Sequence, residues 1–135
     1  MPAIKSYEDL EIWQVSMDLL VDVYSLTERL PQSERFNLIS QLNRAVVSIP
    51  CNIAEGWGRG RGASQANFLR IARGSLYEAK TLLHAVERVG LDTSGQTPAL
   101  RIKCDSLGRM LNAYLSQLGA TVVQEALGDY DAALE

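Results

Sequence analysis

The sequence predicts an all-α fold, a single domain over residues 1–135 built as an antiparallel, up-down-up-down, left-handed four-helix bundle. Three observations lead there. In four separate stretches the apolar residues recur at steps of three and four, which marks one face of a helix packed in coiled-coil fashion. No stretch alternates apolar and polar residues with period two, so strands are not expected. The connections between stretches are short and rich in proline, glycine and capping residues, and short connections turn consecutive helices antiparallel. The sustained three-four spacing favours a shallow crossing near roughly +20°. A chain of 135 residues buries roughly two-thirds of its unfolded surface in one core.

The first helix is expected over about residues 6–30. Ser6 with Asp9 three residues on has the form of a capping box, and Pro31 stops the helix. Its first apolar stripe is Leu10, Trp13, Met17, Leu20 and Tyr24, and a second runs through Ile12, Val15, Leu19, Val23 and Leu26. Two apolar stripes predict two buried contacts. The first is assigned to the bundle, and the Ile12–Leu26 stripe to a neighbouring subunit, which makes the chain a homo-oligomer. The alternative is that this stripe packs on the second or fourth helix of its own bundle.

The second helix is expected over 33–56, with Ser33 as N-cap, a stripe of Ile39, Leu42, Val46, Ile49 and Ile53, and an end at Gly56, Gly58, Gly60 and Gly62. The third spans 64–89 with Ser64 as N-cap and a stripe of Leu69, Ala72, Leu76, Ala79, Leu83 and Val86, and Gly90 ends it. The fourth spans 98–127. Thr97-Pro98 places a cap before a proline at the first helical position, and Leu100, Cys104, Leu107, Leu111, Tyr114 and Leu118 form its stripe.

Polar residues interrupt the second and third stripes. Pro50 removes a backbone donor inside the second helix. Ser48 is placed to bond back to the Arg44 carbonyl, and Asn52 to reach backbone groups the proline frees. Arg44 finds its leading partner in Glu78 on the third helix, where Gly74 admits close approach. Arg44, Ser48, Asn52, Glu55, Ser75 and Glu78 thus read as a buried polar network that fixes helix register. The competing reading makes the same residues a polar active-site pocket. It lacks a nucleophile, base and orienter grouped together.

No catalytic residue, metal site or cofactor is assigned. His84 is the only histidine and has Lys80, Thr81, Glu87 and Arg88 as helical neighbours, a solvated face. Cys51 and Cys104 lack companions at zinc-ligand spacing and read as small, reduced core residues. No Glu-x-x-His pair is present for a diiron centre, and the Gly58–Gly62 segment is not followed by the Gly-Lys-Ser/Thr of a P-loop. No apolar run reaches the ~18 residues needed to span a bilayer, and no apolar h-region follows the N-terminus. The expectation is a cytoplasmic protein with no membrane and no small-molecule substrate.

The formal net charge is −3, yet it is uneven. Between Arg35 and Arg73 six arginines face one carboxylate, Glu55, while the tail after Val123 holds Glu125, Asp129, Asp131 and Glu135 with no base. Arg59 and Arg61 alternate with glycine, and Arg70 and Arg73 follow on the third helix, whose N-terminus adds backbone donors. Arginine suits phosphate because its planar fork donates two hydrogen bonds. Arg59, Arg61, Arg70 and Arg73 are therefore the candidate nucleic-acid surface. Trp57 beside them either stacks a base or closes the end of the bundle.

The chain resembles the bacterial four-helix-bundle family that includes proteins encoded in intervening sequences of 23S ribosomal RNA genes. The residues that carry the resemblance are Leu10-x-x-Trp13, Pro31-x-x-Glu34, Gln41-x-x-Arg44-Ala45, Ser48-Ile49-x-x-Asn52-Ile53-Ala54-Glu55-Gly56 and Phe68-Leu69-x-x-Ala72-x-Gly74-Ser75-x-x-Glu78. They cover about residues 7 to 90, and the fourth helix matches in pattern only. The family is also similar to the accessory variability protein of diversity-generating retroelements, a pentameric ring that binds nucleic acid and a reverse transcriptase. The resemblance implies a non-catalytic bundle, a homopentamer, and an RNA or DNA connection. Family members often carry lysine-rich stretches after Gly56, where this chain has Gly60, Gly62, Ala63, Ser64 and Gln65. The alternative function is a protein-binding adaptor with no nucleic-acid contact.

Overall fold

The computed structural model describes residues 3–134, with side chains at 121–125 and 129–134 left undescribed. The fold is all-α, with four main helices packed against each other: α1 (Glu11–Thr27), α2 (Ser40–Gly58), α3 (Ala63–Arg88) and α4 (Thr97–Leu134). Each helix touches two neighbours. Thr27 Oγ1 donates to Asn43 Oδ1 at 2.9 Å between α1 and α2, and Ser48 and Ser75 hydroxyls meet at 2.8 Å between α2 and α3. Lys80 pairs with Asp105 between α3 and α4, and Asp22 with Lys103 between α1 and α4.

One apolar cluster fills the middle. The predicted stripes of α2, α3 and α4 enter it almost residue for residue: Leu42, Val46, Ile49 and Ile53, then Leu69 through Val86, then Leu100, Cys104, Leu107, Leu111 and Leu118 are buried. Ile39 and Tyr114 lie half-buried at its edges.

On α1 both stripes pack against the bundle: Leu10 of the first is buried and Trp13 and Leu20 pack against the core, but the second stripe lies deeper. Ile12, Leu19, Val23 and Leu26 are buried within the single chain, and Val15 packs half-buried beside them. They are not a subunit interface. Trp13, Met17 and Leu20 are instead half-buried, and Tyr24 is exposed. Spacing alone does not separate two stripes of equal period. Bulk and polarity do. Trp13 and Tyr24 carry polar tips that favour a surface position. Ser16, which lies between Ile12 and Leu19, is fully buried because its hydroxyl donates to the Trp13 carbonyl at 2.7 Å.

The helix ends differ from expectation more than the stripes do. Ser6 and Asp9 form the predicted capping box, but around a short 3₁₀ turn, Tyr7–Asp9, that precedes α1. Ahead of α2 the chain forms a 3₁₀ turn, Gln32–Glu34, and a π turn, Arg35–Ile39. The cap there is the Glu34 carboxylate, which accepts from the Leu38 N–H, and not Ser33. No side chain caps α3. Ser64 lies inside α3, which begins at Ala63, and the cap position falls to Gly62 at φ 129°, a backbone conformation that favours glycine.

Asp92 supplies the α4 cap that the sequence reading placed at Thr97. Its carboxylate accepts from the Gln96 N–H at 3.1 Å, the Thr97 N–H at 3.0 Å and the Thr97 hydroxyl at 2.7 Å. Desolvation pushes the Asp92 carboxyl upward, but the bonds from Thr97, Gln96 and Ser94 together outweigh it and hold its pKa below the ordinary aspartate value. The fourth helix runs past the expected end at 127 to Leu134. The tail carboxylates Glu125, Asp129 and Asp131, and Glu135, lie outside the described side chains.

Candidate nucleic-acid interface

The polar network is smaller than predicted. Ser48 and Ser75 meet across α2 and α3, and Asn52 Nδ2 donates to the Ser48 carbonyl at 2.8 Å and to Ser48 Oγ at 2.9 Å. These three half-buried residues form a hydrogen-bonded link between the helices. Ser48 bonds across to Ser75 and not back to the Arg44 carbonyl. Asn52 takes the Ser48 carbonyl, whereas Pro50 frees that of Val46. Arg44, Glu55 and Glu78 are exposed, and among the described residues no ion pair joins Arg44 to Glu78. Glu55 pairs with Arg59 at 3.4 Å on the surface. The cluster presents no nucleophile beside a base, and among the described residues no group of three or more His, Cys, Asp and Glu is placed to hold a metal ion.

Close approach of α2 and α3 depends on Gly56, not on Gly74. A Cβ on Gly56 would stand 3.1 Å from Phe68 Cβ and 3.2 Å from the Gln65 carbonyl oxygen, whereas one on Gly74 would meet nothing within 4 Å. Of the cysteines, Cys104 is buried and Cys51 is exposed, and both are free thiols. Burial, with a further push from Asp105 and some offset from Lys80, raises the Cys104 thiol to about 11. His84 is exposed, in keeping with its polar helical neighbours.

The four candidate arginines make separate contacts. Arg59 pairs with Glu55 of α2 and lies 5.2 Å from the ring centroid of Phe68 on α3. Arg61 lines a cavity at one end of the bundle. Arg70 is exposed on α3 and donates to Asn67 at 3.1 Å, and Arg73 reaches the other way, to Asn112 of α4 at 3.0 Å.

The α3/α4 side brings a different set together. Arg70, Tyr77, His84 and Arg88 recur along α3 at helical spacing, and Arg73 and Lys80 lie on the adjacent row toward α4. Arg101 and Arg109 face them from α4. Arg101 pairs with Glu87 of α3, and Arg109 shares a groove of about 250 Å³ with Tyr77, Lys80, Asp105 and Asn112. The hydrogen bond from Lys80 holds the Asp105 carboxyl below its ordinary value against a small opposing desolvation, and Lys80, Arg109 and Arg101 add their charge.

Six cations (Arg70, Arg73, Lys80, Arg88, Arg101 and Arg109) therefore meet two carboxylates, Glu87 and Asp105, both of them paired. Arg70, Arg73, Arg88 and Arg109 make no ion pair among the described residues. Tyr77 is 52% exposed in their midst. Sequence reading missed Lys80, Arg88, Arg101 and Arg109 because each has an acid close by in the chain. The helical spacing from Arg73 to Lys80 was the available signal.

Structurally, the class is an all-α protein of four packed helices, with a small hydroxyl-amide link between α2 and α3 and an unbalanced basic side. The match to a family places it more closely. The family described as 23S rRNA-intervening sequence protein matches residues 8–113, and the chain belongs to that family. A comparison with curated proteins finds no match. No helix among the described residues is long and apolar enough to cross a membrane.

Proposed function

We propose that this protein is a non-catalytic, cytoplasmic, self-associating scaffold that holds structured RNA or DNA, or an enzyme acting on it, against the α3/α4 side. One observation carries the reading. Four arginines without an ion-pair partner among the described residues, Arg70, Arg73, Arg88 and Arg109, lie along the α3/α4 side, where an exposed aromatic ring, Tyr77, shares a groove with Arg109, on a protein whose net charge is −3. Local positive charge on an acidic body draws an anion to one place and lowers binding elsewhere. Arginine forks fit phosphate oxygens, and an exposed tyrosine offers a face on which a base stacks.

A homopentamer with an up-down-up-down, left-handed bundle as its subunit remains part of this reading. Register supports the antiparallel course: Lys80, Arg73 and Gln65 of α3 meet Asp105, Asn112 and Tyr114 of α4 in opposite order. The subunit contact moves to the outer flank of α1 and α2. Trp13, Met17, Leu20 and Tyr24 leave apolar surface there, beside Val21 and Val47 at 61% and 37% exposure. The same surface favours a second reading, a protein adaptor that binds a partner through this apolar flank and touches no nucleic acid.

The test compares two double variants in binding to a labelled structured RNA and a duplex DNA. Arg73→Ala/Arg109→Ala is expected to weaken binding by about tenfold or more, and Arg59→Ala/Arg61→Ala by less. Equal, undiminished binding by both variants removes the α3/α4 surface from the account. Absence of binding by the folded wild-type protein at low salt leaves the adaptor reading.

A further inference from the structure

A cavity lies at the end of the bundle where α3 begins, and the basic α3/α4 side does not use it. It measures about 650 Å³, within the roughly 300–1,000 Å³ of small-ligand sites. Leu10 and Leu118 give it apolar walls, Trp57 and Tyr114 give it aromatic ones, and Arg61 is the one charged residue that lines it among the described residues. Gln65 also lines it, although it is only 3% exposed. A buried amide is costly without partners. The Gln65 N–H donates to the Tyr114 hydroxyl at 3.2 Å, which leaves the amide carbonyl as an acceptor and the phenolic proton as a donor.

We propose that this cavity is a nucleotide site, in which a nucleobase enters between Trp57 and Tyr114 and its phosphate rests on Arg61. Each wall matches one part of that ligand. Indole and phenol rings stack on a base regardless of its identity. The Gln65 carbonyl and the Tyr114 hydroxyl form an acceptor–donor pair of the kind a base edge satisfies. Arg61 supplies the planar fork for phosphate, and Gly60 beside it lines the same cavity.

The nucleotide has two sources, a free mononucleotide or an unpaired residue of a bound RNA. The second rests on the nucleic-acid reading above. Axial order favours it. Lys80–Asp105, Arg73–Asn112 and Gln65–Tyr114 follow one another along α3 and α4. Arg73 is eight residues from Gln65, about 12 Å along the helix, which two nucleotides of a strand span.

The test uses the full chain in its native oligomeric state. Calorimetric titration with AMP, CMP, GMP and UMP, and with ribose 5-phosphate as the control, reads the free ligand. A hairpin RNA with 2-aminopurine at an unpaired position reads the base in a chain. Saturable mononucleotide binding, weakened about tenfold by Arg61→Ala and about threefold by Tyr114→Phe, supports the site. A 2-aminopurine signal that falls with the same two variants assigns it to RNA, and mononucleotide binding without that signal assigns it to free nucleotide.

Ribose 5-phosphate binding as tightly as the nucleotides, with Tyr114→Phe silent, overturns base recognition. No mononucleotide binding and no 2-aminopurine response overturns the site altogether. In that case RNA affinity that still depends on Arg73 and Arg109 leaves the scaffold reading standing.

Discussion

Replacing either of two glycines with alanine should have opposite effects on stability, although both belong to the residues that mark the family resemblance. Gly56→Ala places a Cβ 3.1 Å from Phe68 Cβ and 3.2 Å from the Gln65 carbonyl oxygen. Neither atom moves by a side-chain rotation, because one is fixed to its backbone and the other is backbone. The α2/α3 contact must open by a few tenths of an ångström, and such overpacking costs about 1–3 kcal/mol. Alanine returns about 1 kcal/mol of helix propensity, so the net loss is about 0–2 kcal/mol. Gly74→Ala meets nothing within 4 Å on the exposed side of α3 and keeps the propensity gain of about 0.5–1 kcal/mol. The two variants should therefore differ by about 1–3 kcal/mol. Urea unfolding followed by far-ultraviolet circular dichroism measures both midpoints. Equal stabilisation by the two substitutions refutes the close approach at Gly56.

Three further outcomes follow from the geometry. Leu19→Ala, which empties a fully buried position, should cost about 2–5 kcal/mol of stability and leave the native mass unchanged, whereas Met17→Glu/Tyr24→Glu should lower the native mass with little change in subunit folding; light scattering and thermal melts read the two effects. Asp92→Ala should lose about 0.5–2 kcal/mol at pH 7. Because the folded pKa of Asp92 lies below its unfolded value, the cap is fully present above about pH 4 and fades as pH falls further, so the gap between wild type and variant should close on acidification. A gap that widens contradicts the cap. With a disulfide reagent at pH 8, one thiol, Cys51, should react fast and Cys104, buried and raised to about 11, only on unfolding.

The core of three helices was legible because each carries one apolar stripe. Leu69 through Val86 and Leu100 through Leu118 have a single self-consistent face, so spacing alone names it. Helix α1 has two faces of equal period, and only the size and polar tips of Trp13 and Tyr24 separate outside from inside. Caps were read from the residue types nearest each helix. Asp92 acts from five residues before Thr97 through a turn, and Glu34 through a π turn, so neither shows in a local pattern.

The Ser48–Ser75 pair and Asn52 were legible as a link between helices. Arg44 and Glu78 were not, since nothing in the sequence told that both point to solvent. The basic side escaped notice because charge was read along the chain, where Glu78, Glu87 and Asp105 offset Lys80, Arg88, Arg101 and Arg109. Folding two helices side by side pairs two of those acids, and Arg88 and Arg109 join Arg70 and Arg73 without an ion pair among the described residues.

The most direct measurement is the salt dependence of RNA affinity for wild type and Arg73→Ala/Arg109→Ala. Each phosphate contact contributes a slope of about −0.7 to −0.9 in log affinity against log salt. With Arg70, Arg73, Arg88 and Arg109 engaged, the wild-type slope is expected near about −3 per chain, and the double variant near half that. A slope near zero, or one that the double substitution leaves unchanged, contradicts a nucleic-acid scaffold on the α3/α4 side.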